Sequence, residues 1–375
     1  MKNLISNNIN PKIIIGCGGT GGHIYTGVAI ANGIKNKIPK SNILFIGSKN
    51  HMEMKEIPKY GFKIKGICLS GGRNKLVSIY SGFILLSQLI RSFISIKKVI
   101  KQFSPNIVIG TGGYVSFPTL CVAKNKNIPI LIQEQNSIPG ITNRIFSRYA
   151  KKICIAYDQA KKFFPKKKTI ITGNPIRSNI FHLPDKKIAC NKLGLKKDKP
   201  IILSLGGSHG SNNINNAWIN GGLTKLIHLD LQLIWQIGNY HINKIKRNEI
   251  LNHPNFRITK FIEDISYCYA AADIIVSRAG ALTISEICII GKPYILIPLS
   301  SSTDNHQSEN AKVLEKKKAA LIINDSEIEE KLIDSIVKLM NNIHMKKKMI
   351  KNMLSLSKPS ATNDIIKEIL RIILC

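Results

Sequence analysis

A glycine-rich turn near the start of the chain is the first segment whose residue types could do chemistry. It has the sequence Gly16-Cys-Gly-Gly-Thr-Gly-Gly-His23, follows a short apolar run and opens a segment with helical spacing. Glycines let the backbone approach a ligand closely, and the amides at a helix start favour an anion such as a phosphate. His23 stands at the mouth of that helix, where an imidazole could serve as a general base. The alternatives are a tight turn without a ligand and a structural histidine.

A second glycine-rich turn, Gly206-Gly-Ser208-His-Gly210, follows another apolar run about half a chain later. The Ser208 hydroxyl could donate to a phosphate that the glycines admit. A dinucleotide site would require an acidic residue at the end of the next strand, but the two strands concerned end in 47-Gly-Ser-Lys-49 and 236-Gln-Ile-Gly-238. A Walker-type loop is excluded, because no Gly-Lys-Ser/Thr occurs.

A third segment joins a helix start to an acidic side chain. It runs from Ser277 to Glu286, with the sequence Ser-Arg-Ala-Gly-Ala-Leu-Thr-Ile-Ser-Glu. The first helical amides could face a diphosphate, and Glu286 could accept two hydrogen bonds from a ribose diol. The same spacing, Thr283-x-x-Glu286, is also that of a capping box.

A polar loop follows a later strand and contains Asp304, His306 and Gln307, which suit sugar hydroxyls. The alternative is a loop that is merely exposed. Neither an Asp-x-Asp nor a C-x-x-C pair occurs in the chain, so neither a metal–diphosphate clamp nor a zinc site of these types is indicated. We expect no cofactor and name no metal ligands, while the motifs leave a divalent-metal requirement open. Helix dipoles and loop amides would then have to stabilise a leaving diphosphate.

The motifs lie between apolar runs that alternate with helical patterns, as in βαβ units. The pattern predicts an α/β protein with two Rossmann-like domains that face each other across a cleft. We expect a first domain over 1–174, a second over 175–358, and a C-terminal helix over 359–375 that packs back on the first. The strands predicted from apolar runs are Lys12–Ile15, Ile43–Ile46, Ile107–Ile109, Ile128–Ile132, Ile153–Ala156, Pro200–Leu205, Gln232–Ile237, Ile274–Val276 and Tyr294–Ile297.

Composition limits the partners. The net charge of +33 suits a polyanion: nucleic acid, an acidic membrane surface or a phosphorylated substrate. The alternative is compositional drift, since Lys, Ile and Asn are all abundant and the lysines are scattered. No nucleic-acid-binding motif accompanies them, and aromatic residues make up only 6% of the chain, so we expect no nucleic-acid partner.

Residues 76–100 are predicted to form a helix that is apolar on two sides. We expect one side to face the core and the other a lipid interface, with basic residues meeting anionic headgroups. A helix buried entirely in the fold is the alternative. One stripe contains Ile79, Gly82, Leu86, Leu89, Phe93, Ile96 and Ile100, the other Leu76, Tyr80, Phe83, Ile90 and Ile94, and the basic residues are Arg73, Lys75, Arg91, Lys97 and Lys98.

In chain order, these motifs together resemble glycosyltransferase family 28, which has the GT-B fold. At two positions the chain departs from the family pattern: His209 stands where Gln is usual, and Gln133 where His is common. The segments that carry the resemblance are 18–23, 112–116, 134–136, 173–177, 206–208, 261–262, 277–286, 306–307 and 310–311.

The resemblance implies an inverting transfer of N-acetylglucosamine from UDP-GlcNAc to undecaprenyl-diphosphate N-acetylmuramyl pentapeptide (lipid I). The product would be the β-1,4-linked lipid II of peptidoglycan synthesis. It also implies a peripheral location at the cytoplasmic face of the inner membrane. Another GT-B enzyme that uses a UDP-sugar, either a lipid glycosyltransferase or a UDP-GlcNAc 2-epimerase, is the second hypothesis. A basic nucleic-acid-binding protein is the third.

The resemblance also implies roles for individual residues. The first domain would hold the lipid acceptor and the second the donor. His23 is the first choice for the base, and Glu134 the second. The other implied contacts are Thr20, Gly21 and Gly22 at the cleft floor; Asn136, Arg177 and Asn215 in the donor site; Ile262 at uracil; Glu286 at ribose; Ser208, Ala281, Leu282, Thr283, Ile284 and Ser285 at the diphosphate; and Gln307 at the sugar.

Overall fold

The computed structural model describes residues 10–69, 79–207, 210–238, 249–299 and 305–374, without the side chains of 79–86. The chain forms two compact units. The first contains the residues up to Arg177 and those from Lys358 onward, and the second is Ser178–Ser357.

The first unit is built on a seven-stranded sheet in the order β3-β2-β1-β4-β5-β6-β7, with parallel pairing throughout. Its central strands are continuous isoleucine-rich runs, because both faces of a parallel sheet are covered. The strands are β1 (Lys12–Gly16), β2 (Asn42–Ser48), β3 (Lys63–Ile67), β4 (Ile107–Gly110), β5 (Ile130–Glu134), β6 (Lys152–Ile155) and β7 (Thr169–Ile171), and the helices among them are α1 (Gly21–Lys37), α2 (Glu53–Lys59), α3 (Ile79–Phe103), α4 (Ser116–Asn125) and α5 (Ile141–Phe146).

The second unit repeats this plan with a six-stranded parallel sheet in the order β10-β9-β8-β11-β12-β13. Its strands are β8 (Ile201–Leu205), β9 (Gln232–Gln236), β10 (Phe256–Thr259), β11 (Ile274–Arg278), β12 (Tyr294–Ile297) and β13 (Leu321–Ile322). Its helices are α6 (Lys186–Leu193), α7 (Asn212–Ala217), α8 (Leu223–His228), α9 (Ile265–Ala271), α10 (Ala281–Ile290), α11 (His306–Lys316), α12 (Ile328–Asn341) and α13 (Ile343–Ser355). The prediction of two parallel-sheet α/β domains is confirmed.

The last helix, α14 (Ala361–Leu374), belongs to the first unit. Ile365 and Ile369 are fully buried in the same core as Ile13 and Ile15, whose side chains leave one face of β1. Ile14 leaves the opposite face and packs in the core covered by α3 and α4. The alternation of strand side chains therefore gives each face of the sheet its own core.

The strands that the sequence did not reveal are β3, β7, β10 and β13. All four lie at the edges of the two sheets. An edge strand is covered less completely, so it lacks a continuous apolar run; β3, for example, alternates lysine with isoleucine.

Both sheets change strand order beside their first strand, between β1 and β4 and between β8 and β11. Ligands of open α/β sheets bind at this switch point, outside the carboxyl ends of the strands. The two glycine-rich turns follow β1 and β8, and each therefore lies at the switch point of its own unit.

Helix α3 is covered on one side only. Ile96 and Ile100 are buried in the core, whereas Ile90 is 51% and Ile94 64% exposed. The described part of the helix therefore excludes the alternative of complete burial. None of the helices in the described ranges is long and apolar enough to cross a membrane.

Candidate functional site

His23 is held by the glycine-rich turn that precedes it. Its Nδ1 lies 3.1 Å from the Gly18 carbonyl oxygen and 3.1 Å from the Thr20 hydroxyl. A carbonyl oxygen can only accept, so the Gly18 contact places the proton of the neutral imidazole on Nδ1. The lone pair, and with it the capacity to take up a proton, is then at Nε2.

A second glycine turn, after β4, packs against the same imidazole. A Cβ on Gly112 would lie 3.0 Å from His23 Nε2, and one on Gly113, where φ is +80°, would overlap the Gly18 carbonyl. The Thr111 hydroxyl donates to the His23 carbonyl oxygen at 3.0 Å. Three adjacent backbone segments thus fix the orientation of the ring.

Thr20, Gly21 and Gly22 form the entry to α1, as predicted from the motif. Thr20 is the exposed N-cap residue in an extended conformation, and its side chain does not cap the helix. Helix α1 begins after the turn that leaves β1, so its N-terminal end lies at the switch point of the first unit. Its first turn carries no acidic residue that would compensate the positive end of the helix dipole.

Glu134, at the end of β5, is buried and fully occupied by the loop that follows it. Oε1 accepts from the backbone N–H (2.9 Å) and the side-chain amide (3.2 Å) of Asn136. Oε2 accepts from the Gly140 N–H (3.1 Å) and the Asn143 amide (2.8 Å). Burial raises the pKa of the Glu134 carboxyl, and these hydrogen bonds act in the opposite direction. This is the environment of a carboxylate that shapes a loop, with Asn136 as one of its donors.

Gln133, which departs from the family pattern, is also buried in this cluster. Its amide nitrogen donates to Asn174 Oδ1 at 3.1 Å, and the Gln135 amide donates to its carbonyl oxygen. Gln133 thus joins β5 to the loop around Asn174, which leads from β7 toward the second unit.

Arg177 is the last residue of the first unit before the chain enters the second unit. Its guanidinium carbon lies 5.6 Å from the centre of the Tyr25 ring on α1, a cation–π contact. The Tyr25 hydroxyl donates to Glu56 at 3.3 Å. Burial, followed by the nearby Glu56 charge, raises the pKa of Tyr25. The structure therefore places Arg177 beside α1 of the first unit.

In the second unit, the turn after β8 is shaped by close backbone packing. A Cβ on Gly206 would lie 2.7 Å from the Ser211 nitrogen, and Gly210, with φ of +82°, would overlap the Ile237 carbonyl oxygen if it carried one. Ser208 and His209 lie outside the described residues, so the predicted phosphate contact of Ser208 stays a prediction.

Helix α10 begins directly after a glycine. Its N-cap is Gly280, which has no side chain to cap the helix, and Thr283 and Glu286 are its third and sixth residues. The capping-box interpretation of Thr283 and Glu286 is therefore wrong, because Thr283 is inside the helix. The amides of the first turn, from Ala281 through Leu282 to Thr283, point toward the switch point, as an anion site requires. Ile284 is buried, and the Ser285 hydroxyl donates to the Ala281 carbonyl at 2.9 Å.

Glu286 is 4% exposed and faces α9. Its Oε2 accepts a hydrogen bond from the Tyr269 hydroxyl at 3.0 Å. The Glu286 carboxylate takes no part in a helix cap. The hydrogen bond from Tyr269 therefore helps to fix its position against α9.

Arg278 is a residue whose role the sequence analysis missed. The residue is 8% exposed, and its guanidinium forms an ion pair with Asp325. It also donates to the Ile297 carbonyl (3.3 Å) and to the Ser211 hydroxyl, which caps α7 through the Ile214 N–H. One cation thus joins the ends of β11 and β12 to the turn after β8. The signal available in the sequence was a cation at the end of a strand that is otherwise apolar or small.

We expect Arg278→Met to destabilise the second unit by about 3–5 kcal/mol, because the variant breaks a buried ion pair and the hydrogen bonds that join two strand ends to the turn after β8. Urea denaturation measures this free energy of unfolding. Lys186→Met is the matched control: its ion pair with Asp273 is about one-third exposed on both sides, so its loss should cost less than about 1 kcal/mol. Equal losses in the two variants would contradict the structural role of Arg278.

Two of the residues implied in the donor site are already engaged inside the second unit. Asn215 is completely buried, and its amide donates to the Ile237 carbonyl (3.0 Å) and accepts from Trp235 (3.1 Å). The Ile262 N–H donates to Gln236 Oε1 at 2.9 Å. Because Asn215 is completely buried, a direct ligand contact would require the residues that cover it to move, and a contact to the Ile262 N–H would displace Gln236.

Gln307, in the first turn of α11, bends back toward β12. Its Oε1 accepts from the Leu299 N–H at 3.0 Å, which places the side chain at the carboxyl end of that strand. Residues 300–304, with Asp304, lie outside the described ranges. Among the described residues, no three His, Cys, Asp or Glu side chains are grouped to hold a metal ion.

Comparison with known proteins covers both units. The Glycosyltransferase family 28 N-terminal domain matches residues 13–155, and the Glycosyltransferase family 28 C-terminal domain matches 201–369. Two similar relatives, from Christiangramia forsetii and Cytophaga hutchinsonii, are 41% and 40% identical over 96% of this chain and cover 98% and 97% of their own lengths. Each is named UDP-N-acetylglucosamine–N-acetylmuramyl-(pentapeptide) pyrophosphoryl-undecaprenol N-acetylglucosamine transferase.

Solved structures share the fold of this chain. The crystal structure of Acinetobacter baumannii MurG matches with a TM-score of 0.70 and 26% identity, over 96% of this chain and all of the other. A UDP complex of Staphylococcus aureus MnaA is alike in fold alone, with a TM-score of 0.67 and 14% identity over 96% of both chains. Because models for both halves match in order and the relatives are similar over nearly their whole length, the chain belongs to glycosyltransferase family 28.

Proposed function

We propose that this enzyme transfers N-acetylglucosamine from UDP-GlcNAc to undecaprenyl-diphosphate N-acetylmuramyl pentapeptide, which converts lipid I to lipid II in peptidoglycan synthesis. The observation that carries the proposal is the 41% identity, over 96% of the chain, to a relative named for that transfer. The match extends through both units, and so includes the elements proposed for the acceptor and for the donor.

The chemistry assigned to the first unit is removal of a proton. His23 Nε2 takes the proton of the acceptor hydroxyl as its oxygen attacks the anomeric carbon of the sugar. The new carbon–oxygen bond forms on the face opposite the bond to the diphosphate, which breaks and releases UDP, so the configuration inverts. The resulting imidazolium is stabilised by the Gly18 carbonyl at Nδ1.

Glu134 has a supporting role in this proposal. Each of its oxygens already accepts two hydrogen bonds from its own loop. A proton taken up there would weaken four contacts at once, whereas His23 can be protonated with its contact to Gly18 in place. The geometry therefore favours His23 as the base and Glu134 as the residue that shapes the acceptor-side loop.

The chemistry assigned to the second unit is stabilisation of the leaving UDP. The N-terminal end of α10 presents amides and a positive dipole to the diphosphate, and Glu286 binds the ribose hydroxyls. Ser208 and Gln307 complete the contacts to phosphate and sugar. This division of roles uses fixed dipoles, which need no rearrangement as charge develops on the leaving group.

Transfer of labelled N-acetylglucosamine from UDP-GlcNAc to a short-chain analogue of the lipid acceptor tests the proposal. We expect labelled disaccharide product only when both substrates are present. Conversion of UDP-GlcNAc to its 2-epimer without any acceptor would instead identify the alternative activity, and absence of both products would reject the proposal.

We further propose that the enzyme acts at the cytoplasmic face of the inner membrane, bound peripherally through α3. Exposed isoleucines on this helix stand beside Arg91, Lys97 and Lys98, which are also exposed. Arg73 and Lys75, predicted for the same surface, lie outside the described residues. Apolar side chains next to cations suit a bilayer interface with anionic headgroups.

Helix α5, on the same face of the sheet as α3, also carries exposed apolar side chains. Ile141 and Ile145 of α5 are 65% and 47% exposed, and they line a groove of about 740 Å³ together with Arg144 and Arg148. Because α3, α4 and α5 contribute to the same core on one face of the sheet, the two exposed sets belong to the same side of the first unit.

Substitution of Ile90 and Ile94 by Asp should lower the fraction of enzyme that floats with anionic liposomes at least tenfold, since a factor of ten needs only about 1.4 kcal/mol. The matched control is Ile343→Asp, which changes an equally exposed isoleucine of the second unit and should float as the wild type does. Unchanged flotation of the double variant would reject α3 as the membrane contact.

A further inference from the structure

A second carboxylate, Glu53, is buried beneath the glycine-rich turn of the first unit. It is the first residue of α2 and is completely inaccessible to solvent. Its Oε1 accepts from the Ser48 N–H at 2.9 Å, at the end of β2. Its Oε2 has no hydrogen-bond partner among the described residues. In this respect it differs from Glu134, whose two oxygens are both occupied.

The space that Glu53 fills exists because two residues lack side chains. A Cβ on Gly18 would overlap the Glu53 carboxylate, and a Cβ on Gly47 would lie 2.6 Å from its Cγ. The carboxylate therefore packs directly against the backbone of Gly18. The carbonyl of that same residue accepts the hydrogen bond from His23 Nδ1. A single residue of the turn thus separates the carboxylate from the imidazole.

The charge of Glu53 acts on the groups around the turn. The Cys17 thiol is buried there, and its pKa is raised by burial first and by Glu53 second. Two further ionisable side chains of the first unit meet near the turn: Tyr114 lies beside Gly19, and its hydroxyl is 3.1 Å from His51 Nε2. In surroundings of low polarity, an uncompensated carboxylate stabilises a cation that forms nearby.

We propose that Glu53 is a positioning residue for His23: its carboxylate holds the Gly18 turn so that the Gly18 carbonyl orients the imidazole, and its charge stabilises the imidazolium. The arrangement resembles a carboxylate–histidine pair, except that the Gly18 backbone lies between the two groups and its carbonyl accepts the hydrogen bond from the imidazole. It rests on the proposed function, because it assigns His23 the part of the base. Sequence rules that search for an acid at the end of β2 miss it, since the carboxylate returns to that point from the next helix.

The decisive variant is Glu53→Gln, which keeps the shape and an acceptor for Ser48 but removes the charge. We expect kcat to fall about tenfold while KM for UDP-GlcNAc stays within about twofold, an order of magnitude that reflects indirect action through His23. The pH profile of kcat provides the specific readout. The base must be neutral to act, so loss of the nearby anion lowers its pKa and moves the acidic limb toward lower pH.

Two further variants separate charge and position from stability. Glu53→Asp keeps the charge but withdraws it from Gly18, so kcat should fall while the acidic limb stays in place; a full kcat in this variant would overturn the positioning role. Glu368→Gln alters another buried carboxylate of the first unit, far along the chain in α14, and should change thermal stability without moving the pH profile.

The outcomes also separate this inference from the proposed function. If the wild type transfers the sugar and Glu53→Gln matches it in kcat and in pH profile, the role of Glu53 is rejected and the proposed function stands. If the wild type forms no product, the proposed function itself fails. A shifted acidic limb with unchanged KM supports both.

Discussion

His23→Ala is expected to lower kcat roughly 10³-fold, the middle of the range for loss of a general base, while the affinity for UDP stays nearly unchanged. The imidazole lies in the first unit, held by Gly18 and by the glycines after β4, whereas the residues proposed to bind UDP are in the second unit. Single-turnover transfer assays give the rate of the chemical step, and calorimetric titration with UDP gives the affinity.

The control for this prediction is His344→Ala. His344 is an exposed histidine at the start of α13, so its removal should leave transfer within about twofold of the wild type. Full activity of His23→Ala would remove His23 from the mechanism. A loss of UDP affinity as large as the loss of rate would show that the histidine serves donor binding rather than proton transfer.

Glu286→Ala is expected to raise KM for UDP-GlcNAc about 10- to 100-fold with a smaller effect on kcat. Hydrogen bonds from ribose hydroxyls to a buried carboxylate contribute roughly 1.5–3 kcal/mol, and about 1.4 kcal/mol is a factor of ten. The helix geometry supports this assignment, since Glu286 lies in the second turn of α10, the helix whose first amides are proposed to face the diphosphate. Initial rates at varied donor concentration provide the measurement.

A matched control isolates the ribose contact from the structural one. Tyr269→Phe removes the 3.0 Å hydrogen bond to Glu286 but leaves the carboxylate in the helix. It should lower the free energy of unfolding by about 1 kcal/mol and change the donor KM by less than about threefold. An unchanged donor KM in Glu286→Ala, or the same increase in both variants, would contradict the ribose assignment.

Much of the fold was predictable because it depends on local patterns. The central strands of both sheets are continuous apolar runs, and a chain that alternates such runs with helical spacing forms parallel sheets. The four edge strands were not predictable in this way, because partial exposure breaks the apolar run. The boundary between the domains was predicted between residues 174 and 175, and in the structure the first unit extends to Arg177 and resumes at Lys358.

By itself, the sequence determined which turns carry glycine, which helices begin at them, and therefore where anions and a base are to be sought. Only the tertiary structure decided what each polar group does there. Asn215 and Gln133 carry the same amide groups as ligand-binding residues, yet they bond to residues that follow β9 and β7. Glu53 and Arg278 meet the turns from other elements, and such contacts depend on packing between residues far apart in the chain, which no local pattern encodes.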